Sequence, residues 1–93
     1  MKKKCFYEIV FPSGMFIKFI RINDESKTKY VGSGYDIIKN KDNSSLITRF
    51  NSVEISKESL RIMEKNYRIK EITKKEFDKV SKAYKYVTKT LKI

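Results

Sequence analysis

Residues 4–23, KCFYEIVFPSGMFIKFIRIN, are two apolar-rich segments joined by Pro12-Ser13-Gly14, and they decide the fold. Pro12 suits the second position of a type I turn, because its ring fixes φ in the range that this position needs. Gly14 suits the last position, because glycine adopts positive φ without steric cost. We therefore predict a β-hairpin closed by a three-residue loop.

The three-residue loop sets the register of the two predicted strands and places Glu8 opposite Lys18. Opposite charges across a strand pair are favourable, and a shift of one residue would separate them. By strict alternation, the face predicted to be core carries Cys5, Tyr7, Ile9, Phe11, Met15, Ile17 and Phe19. The other face carries Phe6, Val10, Phe16, Ile20 and Ile22.

This second hairpin face is unusually apolar for a surface in contact with water. We expect a helix of the same chain, or a second copy of the chain in a homodimer, to cover part of it. If neither covers it, the predicted contact surface for a protein partner consists of Phe6, Val10, Phe16 and Ile20.

The length of 93 residues leaves room for a single domain, 1–93, with one modest core. No run of 18 apolar residues is present, so the sequence predicts neither a membrane span nor a signal peptide. Cys5 is the single cysteine and cannot form a disulfide within the chain, which fits a reducing cytoplasm.

Several kinds of catalytic chemistry lack the residues that they need. The chain has no histidine and one cysteine, so it cannot assemble a zinc site of the usual ligand types, and serine or cysteine nucleophiles have no imidazole base. The carboxylates are not paired by spacing into an evident cleft. We therefore predict a non-enzymatic protein with no catalytic residues, no metal and no cofactor.

The charge is strongly asymmetric, with 22 Lys and Arg against 11 Asp and Glu and a formal net charge of +11. Most of the cations are lysine, which attracts phosphate diffusely, whereas arginine favours bidentate recognition. The composition predicts affinity for a polyanion with little sequence readout. The alternative is that an AT-rich genome encodes lysine freely and the charge only keeps the protein soluble.

Beyond the hairpin, further strands are predicted at 27–31, 46–50, 53–55 and 67–72, with a bulge or turn at 51–52. The Gly32-Ser33-Gly34 segment is expected to bulge or bend where the chain leaves the sheet, and 35–38 is one helical turn or another strand. Residues 57–65 read as a short helix capped by Ser56, with a strand as the alternative.

A long helix is predicted from the cap at Thr73 to about Leu91, because Thr73 and Glu76 spell a capping box. Its apolar stripe consists of Phe77, Val80, Tyr84, Val87 and Leu91. Its lysines fall within an arc of roughly 140° on the opposite side. The fold class is thus α+β, a small antiparallel sheet built on the N-terminal hairpin, with one short helix and a longer basic C-terminal helix packed on the sheet.

The outer side of this helix carries no acid from Lys79 onward, so it forgoes the Glu–Lys pairs of an ordinary solvated helix. This asymmetry predicts contact with nucleic-acid phosphates, helped by two lysines of the 39–45 loop. The predicted nucleic-acid-binding residues are Lys75, Lys79, Lys82, Lys85, Tyr86, Lys89, Lys39 and Lys41. Tyr86 would stack on a base or ribose.

The alternative is a protein-docking factor. By analogy of size and composition alone, this would be a phage- or plasmid-type inhibitor or adaptor, for example anti-CRISPR-like, that docks on a host nucleic-acid-handling protein or complex. A charge of +11 argues against mimicry of DNA and leaves two kinds of partner, an acidic protein surface or a complex that carries a guide RNA or another nucleic acid.

Overall fold

A computed structural model of the chain describes the backbone of residues 5–42 and 44–91, and the side chains of this part up to residue 86. The elements follow in the order β1 (Cys5–Val10), β2 (Phe16–Glu25), β3 (Lys29–Lys39), β4 (Ser45–Ser56), α1 (Lys57–Asn66), β5 (Arg68–Ile72) and α2 (Lys74–Leu91). The predicted α+β class, an antiparallel sheet with a short helix and a longer C-terminal helix, is confirmed.

The strands form one antiparallel sheet in the order β4-β3-β2-β1-β5. The first four strands are a meander, in which each strand pairs with the next along the chain. β5 lies at the opposite edge from β4, so the chain crosses the sheet through α1 to reach it. α1 contacts β3, β4 and β5 on one face of the sheet, and α2 contacts β2, β3 and β4 on the other.

Apolar side chains are buried on both faces of the sheet. On the face that α2 covers, the α2 face, the buried cluster consists of Phe6, Tyr35, Ile72 and Phe77, with Phe19, Ile47, Val80 and Tyr84 packed against it. On the other face, the α1 face, Ile9, Ile20 and Ile22 are buried, with Leu60 of α1 beside them. Ile9 and Ile20 are each 1% exposed, and burial of such a side chain stabilises the fold by roughly 1.5–3 kcal/mol.

The hairpin loop is one residue longer than predicted. Phe11 N donates to Phe16 O (3.1 Å), so the loop consists of the four residues 12–15. Within it, Gly14 N donates to Phe11 O (2.8 Å), which closes a four-residue turn. Gly14 has φ 74°, and its predicted positive φ is confirmed.

The extra loop residue shifts the register, and the predicted pairing of Glu8 with Lys18 is wrong. Glu8 lies opposite Phe19, and Lys18 is paired in the sheet with Asp36 of β3. Lys18 Nζ lies 2.9 Å from Asp36 Oδ1, and these side chains are only 17% and 20% exposed. The carboxylate that selects the register of β2 therefore comes from the third strand.

A one-residue shift also reassigns the faces of the hairpin, since side chains alternate along a strand. Ile20 and Ile22 join Ile9 on the α1 face, and Phe19 joins Phe6 on the α2 face. The predicted assignment of hairpin residues to the two faces is therefore wrong. The expected cover by a helix of the same chain is confirmed for Phe6, against which Phe77 of α2 packs. Each face is a core with its own helix.

The predicted exit of the chain from the sheet at Gly32-Ser33-Gly34 is wrong, although the register of the β3–β4 ladder does shift between Gly32 and Gly34. β3 continues through Gly32 and Gly34, so residues 35–38 are strand. A bulge lies in the β3–β4 ladder, where Asn51 and Ser52 of β4 together lie opposite Ser33 of β3, as one predicted alternative had it. A second register shift lies in the β2–β3 ladder, between Ile22 and Asp24. A Cβ on Gly34 would overlap the carbonyl oxygen of Phe19. Glycine is therefore required there by the close approach of the β2 backbone.

Substitution of Gly34 by alanine tests this close approach. Because the overlapping atom is backbone, β2 and β3 must separate locally, and we expect Gly34→Ala to lower the free energy of unfolding by about 3 kcal/mol. The measurement is urea denaturation followed by circular dichroism. Gly14→Asn is the matched control, because nothing lies within 4 Å of a Cβ at Gly14 and asparagine tolerates positive φ. An equal loss in both variants would contradict the steric explanation.

Both predicted helix caps are confirmed. Ser56 Oγ accepts from Ser59 N (2.9 Å) at the start of α1, which is a helix and not a strand. At α2, Thr73 Oγ1 accepts from Glu76 N (3.1 Å), and Thr73 N donates to Glu76 Oε1 (3.0 Å). The hydrogen bond from the backbone of Thr73 holds the pKa of Glu76 below its ordinary value of 4.5.

The lowered pKa makes the α2 cap sensitive to acid. A carboxyl with a lowered folded-state pKa contributes stability above its unfolded-state pKa, and this contribution is lost as pH falls through the folded-state pKa. We expect Glu76→Gln to lower the melting temperature near pH 7, and this difference to shrink toward about pH 3. Glu64→Gln, in an exposed position of α1, is the control. The same pH dependence in both variants would attribute the effect to net charge.

Candidate nucleic-acid interface

The apolar side of α2 anchors the helix on the sheet through aromatic contacts. The ring of Phe77 lies 5.1 Å from that of Phe6 and 5.8 Å from that of Tyr35, and Tyr84 lies 5.2 Å from Tyr35. Tyr35 OH and Ser81 Oγ share a hydrogen bond of 2.9 Å. The predicted packing of the stripe is confirmed for Phe77, Val80 and Tyr84, and the side chains of Val87 and Leu91 lie outside the described part.

The opposite side of α2 is a row of exposed cations. Its exposed residues are Lys74, Lys75, Lys79, Lys82, Lys85 and Tyr86. The five lysines, with Asp78 and Ser81, line a shallow hollow along the helix. Tyr86 is 74% exposed. The side chain of Lys89, also in the predicted site, lies outside the described part.

The acids of α2 are engaged locally. Glu76 belongs to the cap at Thr73, and Asp78 Oδ2 lies 2.9 Å from Lys74 Nζ. Among the described side chains, the ion pairs do not include Lys75, Lys79 or any later lysine of the helix. Of the five lysines that line the hollow, Lys74 alone forms an ion pair with a carboxylate of a described residue, so the net charge of this side remains positive.

Lys39 is the last residue of β3, and Lys41 lies in the turn that follows. Both are exposed, and neither lines the hollow on the helix. Hydrogen bonds from Ser44 hold the pKa of Asp42 below its ordinary value of 3.8, so that a carboxylate stays ionised beside Lys41. The hollow thus groups the described lysines of α2 and does not include Lys39 or Lys41.

The four apolar residues predicted to contact a protein partner do not share a face. In the observed register, Phe6 and Val10 lie on the α2 face, whereas Phe16 and Ile20 lie on the α1 face. Phe6 and Ile20 are buried in the two cores. The predicted contact surface is therefore corrected: the shift in register divides it between the two sides of the sheet.

A second group of cations was not predicted. Arg21 of β2 and Arg49 of β4 lie on the α2 face, and together with Lys85 they line a cleft between the sheet and α2. The signal that could have found them is their place in the strand alternation, two residues from Phe19 and from Ile47 respectively. That signal becomes useful only once the register is known.

Comparison with protein-family models, with curated proteins and with solved structures found no match. In the described part of the chain, no helix is long and apolar enough to cross a membrane. The same residues contain no cluster of three or more His, Cys, Asp or Glu side chains that could hold a metal ion.

Proposed function

We propose that the protein is a non-enzymatic nucleic-acid-binding protein of the cytoplasm that contacts the phosphate backbone through the lysine side of α2. The observation that carries this proposal is the row of exposed lysines whose neighbouring acids are already engaged. An arrangement of this kind lowers its free energy when an anion approaches, because the repulsion between the ammonium groups is relieved. A phosphate backbone supplies such charges at regular spacing.

The dimensions of the helix fit this role. Lys75 to Lys85 spans about 15 Å of helix axis, since each residue rises about 1.5 Å. A duplex presents one phosphate per about 3.4 Å of its axis on each strand, so a helix of this length is long enough to face several phosphates. Tyr86 offers a ring for stacking on an unpaired base. Ammonium groups make point contacts without a fixed fork, and so the binding has little sequence specificity.

Neutralisation of three lysines tests the proposal. We expect Lys75, Lys79 and Lys82 changed together to Gln to weaken binding of a labelled oligonucleotide, measured by fluorescence anisotropy. The slope of log affinity against log salt, between about 50 mM and about 200 mM, should fall by roughly three, about one for each lost phosphate contact.

The matched control removes the same charge elsewhere. Lys27, Arg61 and Lys65 are exposed, and they lie before β3 and on α1. Their joint change to Gln should leave the slope nearly unchanged. Equal effects of the two triple variants would attribute binding to net charge and would contradict a specific surface on α2.

One observation favours docking on a protein as a second candidate. On the α1 face, Phe16, Ile38 and Leu46 are aligned across β2, β3 and β4, and Ile38 and Leu46 remain 39% and 49% exposed. An apolar row of this kind suits an inhibitor or adaptor that docks on a host nucleic-acid-handling protein. Capture of partners from cell extract with and without nuclease separates the candidates. A protein partner that docks on this row remains captured after nuclease digestion, and the Leu46→Glu variant no longer captures it.

A further inference from the structure

The cleft between α2 and the sheet collects polar and cationic groups from four elements. Its lining includes Arg21 of β2, Ser33 of β3, Arg49 and Asn51 of β4, and Ser81 and Lys85 of α2. Arg21 lies opposite Ser33 in the β2–β3 ladder, and Arg49 lies opposite Tyr35 in the β3–β4 ladder. The arginines therefore flank β3 on the same face of the sheet.

Each guanidinium is oriented by its surroundings. Arg21 Nε donates to Asn23 Oδ1 (3.2 Å), and Asn23 Nδ2 in turn donates to Ser33 Oγ (3.0 Å). This hydrogen bond uses Nε and leaves the terminal amino groups of Arg21 for another acceptor. The guanidinium of Arg49 lies 5.8 Å from the ring centroid of Tyr84, within reach of a cation–π contact with α2.

The charge of the cleft is positive. Asp78 is the one acid among the described residues that line the cleft, and its carboxylate is paired with Lys74 at 2.9 Å. Among the described side chains, no carboxylate forms an ion pair with Arg21, Arg49 or Lys85. The two guanidinium groups are planar and always charged, and an ammonium group and serine hydroxyls lie beside them. These donors suit a phosphate, whose oxygens accept several charge-assisted hydrogen bonds at once.

The cleft adjoins the hollow on the outer side of α2. Lys85, Ser81 and Asp78 line both depressions. We infer that the cleft is a phosphate site, and that it fixes one phosphate of a nucleic-acid strand whose neighbouring phosphates lie along the lysines of α2. That this phosphate belongs to a nucleic-acid strand rests on the proposed function. The lysines of α2 attract the strand, and the two arginines fix its position by binding one phosphate.

A charge-preserving variant distinguishes a built site from general attraction. Arg21 and Arg49 changed together to Lys keep every charge but lose the bidentate forks. We expect affinity for a labelled single-stranded oligonucleotide at about 200 mM salt to fall roughly tenfold or more, whereas Arg61→Lys on α1 leaves it unchanged. Equal melting temperatures of the variants confirm that the fold is intact. Unchanged affinity in the double variant overturns the inference and leaves the proposed function standing.

Inorganic phosphate tests the cleft without a strand. The chain has four arginines, so a nitrogen-15 spectrum of the Nε–H groups contains four resonances, and Arg61 and Arg68 serve as internal references. We expect phosphate, against chloride at equal ionic strength, to shift the resonances of Arg21 and Arg49 alone. If phosphate causes these shifts but the protein binds no oligonucleotide, the proposed function is wrong and the cleft binds a small phosphate ligand. Absence of shifts overturns the site.

Discussion

The register between β1 and β2 is the constraint on which the rest of the structure depends. Side chains alternate across a sheet, so the choice between two neighbouring registers decides which side of every hairpin residue becomes core. The observed register brings Ile9 and Ile20 together on one face, where each is almost completely buried. It turns Phe6 and Phe19 to the other face, where Phe77 of α2 packs against them. A small chain thereby obtains two cores from one sheet.

β3, which pairs with β2 on the side away from β1, holds this arrangement in place. Asp36 forms the ion pair that Lys18 needs, and Gly34 allows the backbone of β2 to approach closely. Tyr35, between them, points to the α2 face and contacts both Phe77 and Tyr84. Gly34, Tyr35 and Asp36 thus connect the register of the sheet to the position of α2 on it. The surface proposed to bind nucleic acid is in this sense a product of β3.

Local conformation was predictable from sequence wherever a segment determines its own geometry. The positive φ of Gly14, the cap formed by Thr73 and Glu76, and the packing side of α2 all depend on residues within one turn or one helix. The hairpin register was not predictable in this way. Lys18 has two candidate acids, Glu8 and Asp36, and the sequence of the hairpin alone does not show that a third strand supplies the partner.

The site was predictable to a similar extent. The lysines of α2 share one helix, so helical periodicity groups them correctly. Arg21 and Arg49 come from different strands, and they line the same cleft only because β2 and β4 both pair with β3. The path of β3 was itself obscured by Gly32 and Gly34, because glycine usually weakens a strand and here serves close packing. Because the predicted β3 ends too early, the prediction does not place the two arginines on the same face of the sheet.

The position of β5 at the edge beyond β1 has a consequence for the order of folding. β5 pairs with β1 across most of the described chain, and Thr73 alone separates β5 from α2. The meander of β1 to β4 needs only neighbouring segments, so it is able to form first during synthesis, whereas contacts distant in sequence form slowly. The cationic helix gains its platform after α1 has crossed the sheet. The face on which α2 packs is therefore complete only once β5 has paired with β1, because Ile72 of β5 belongs to the cluster that holds Phe77.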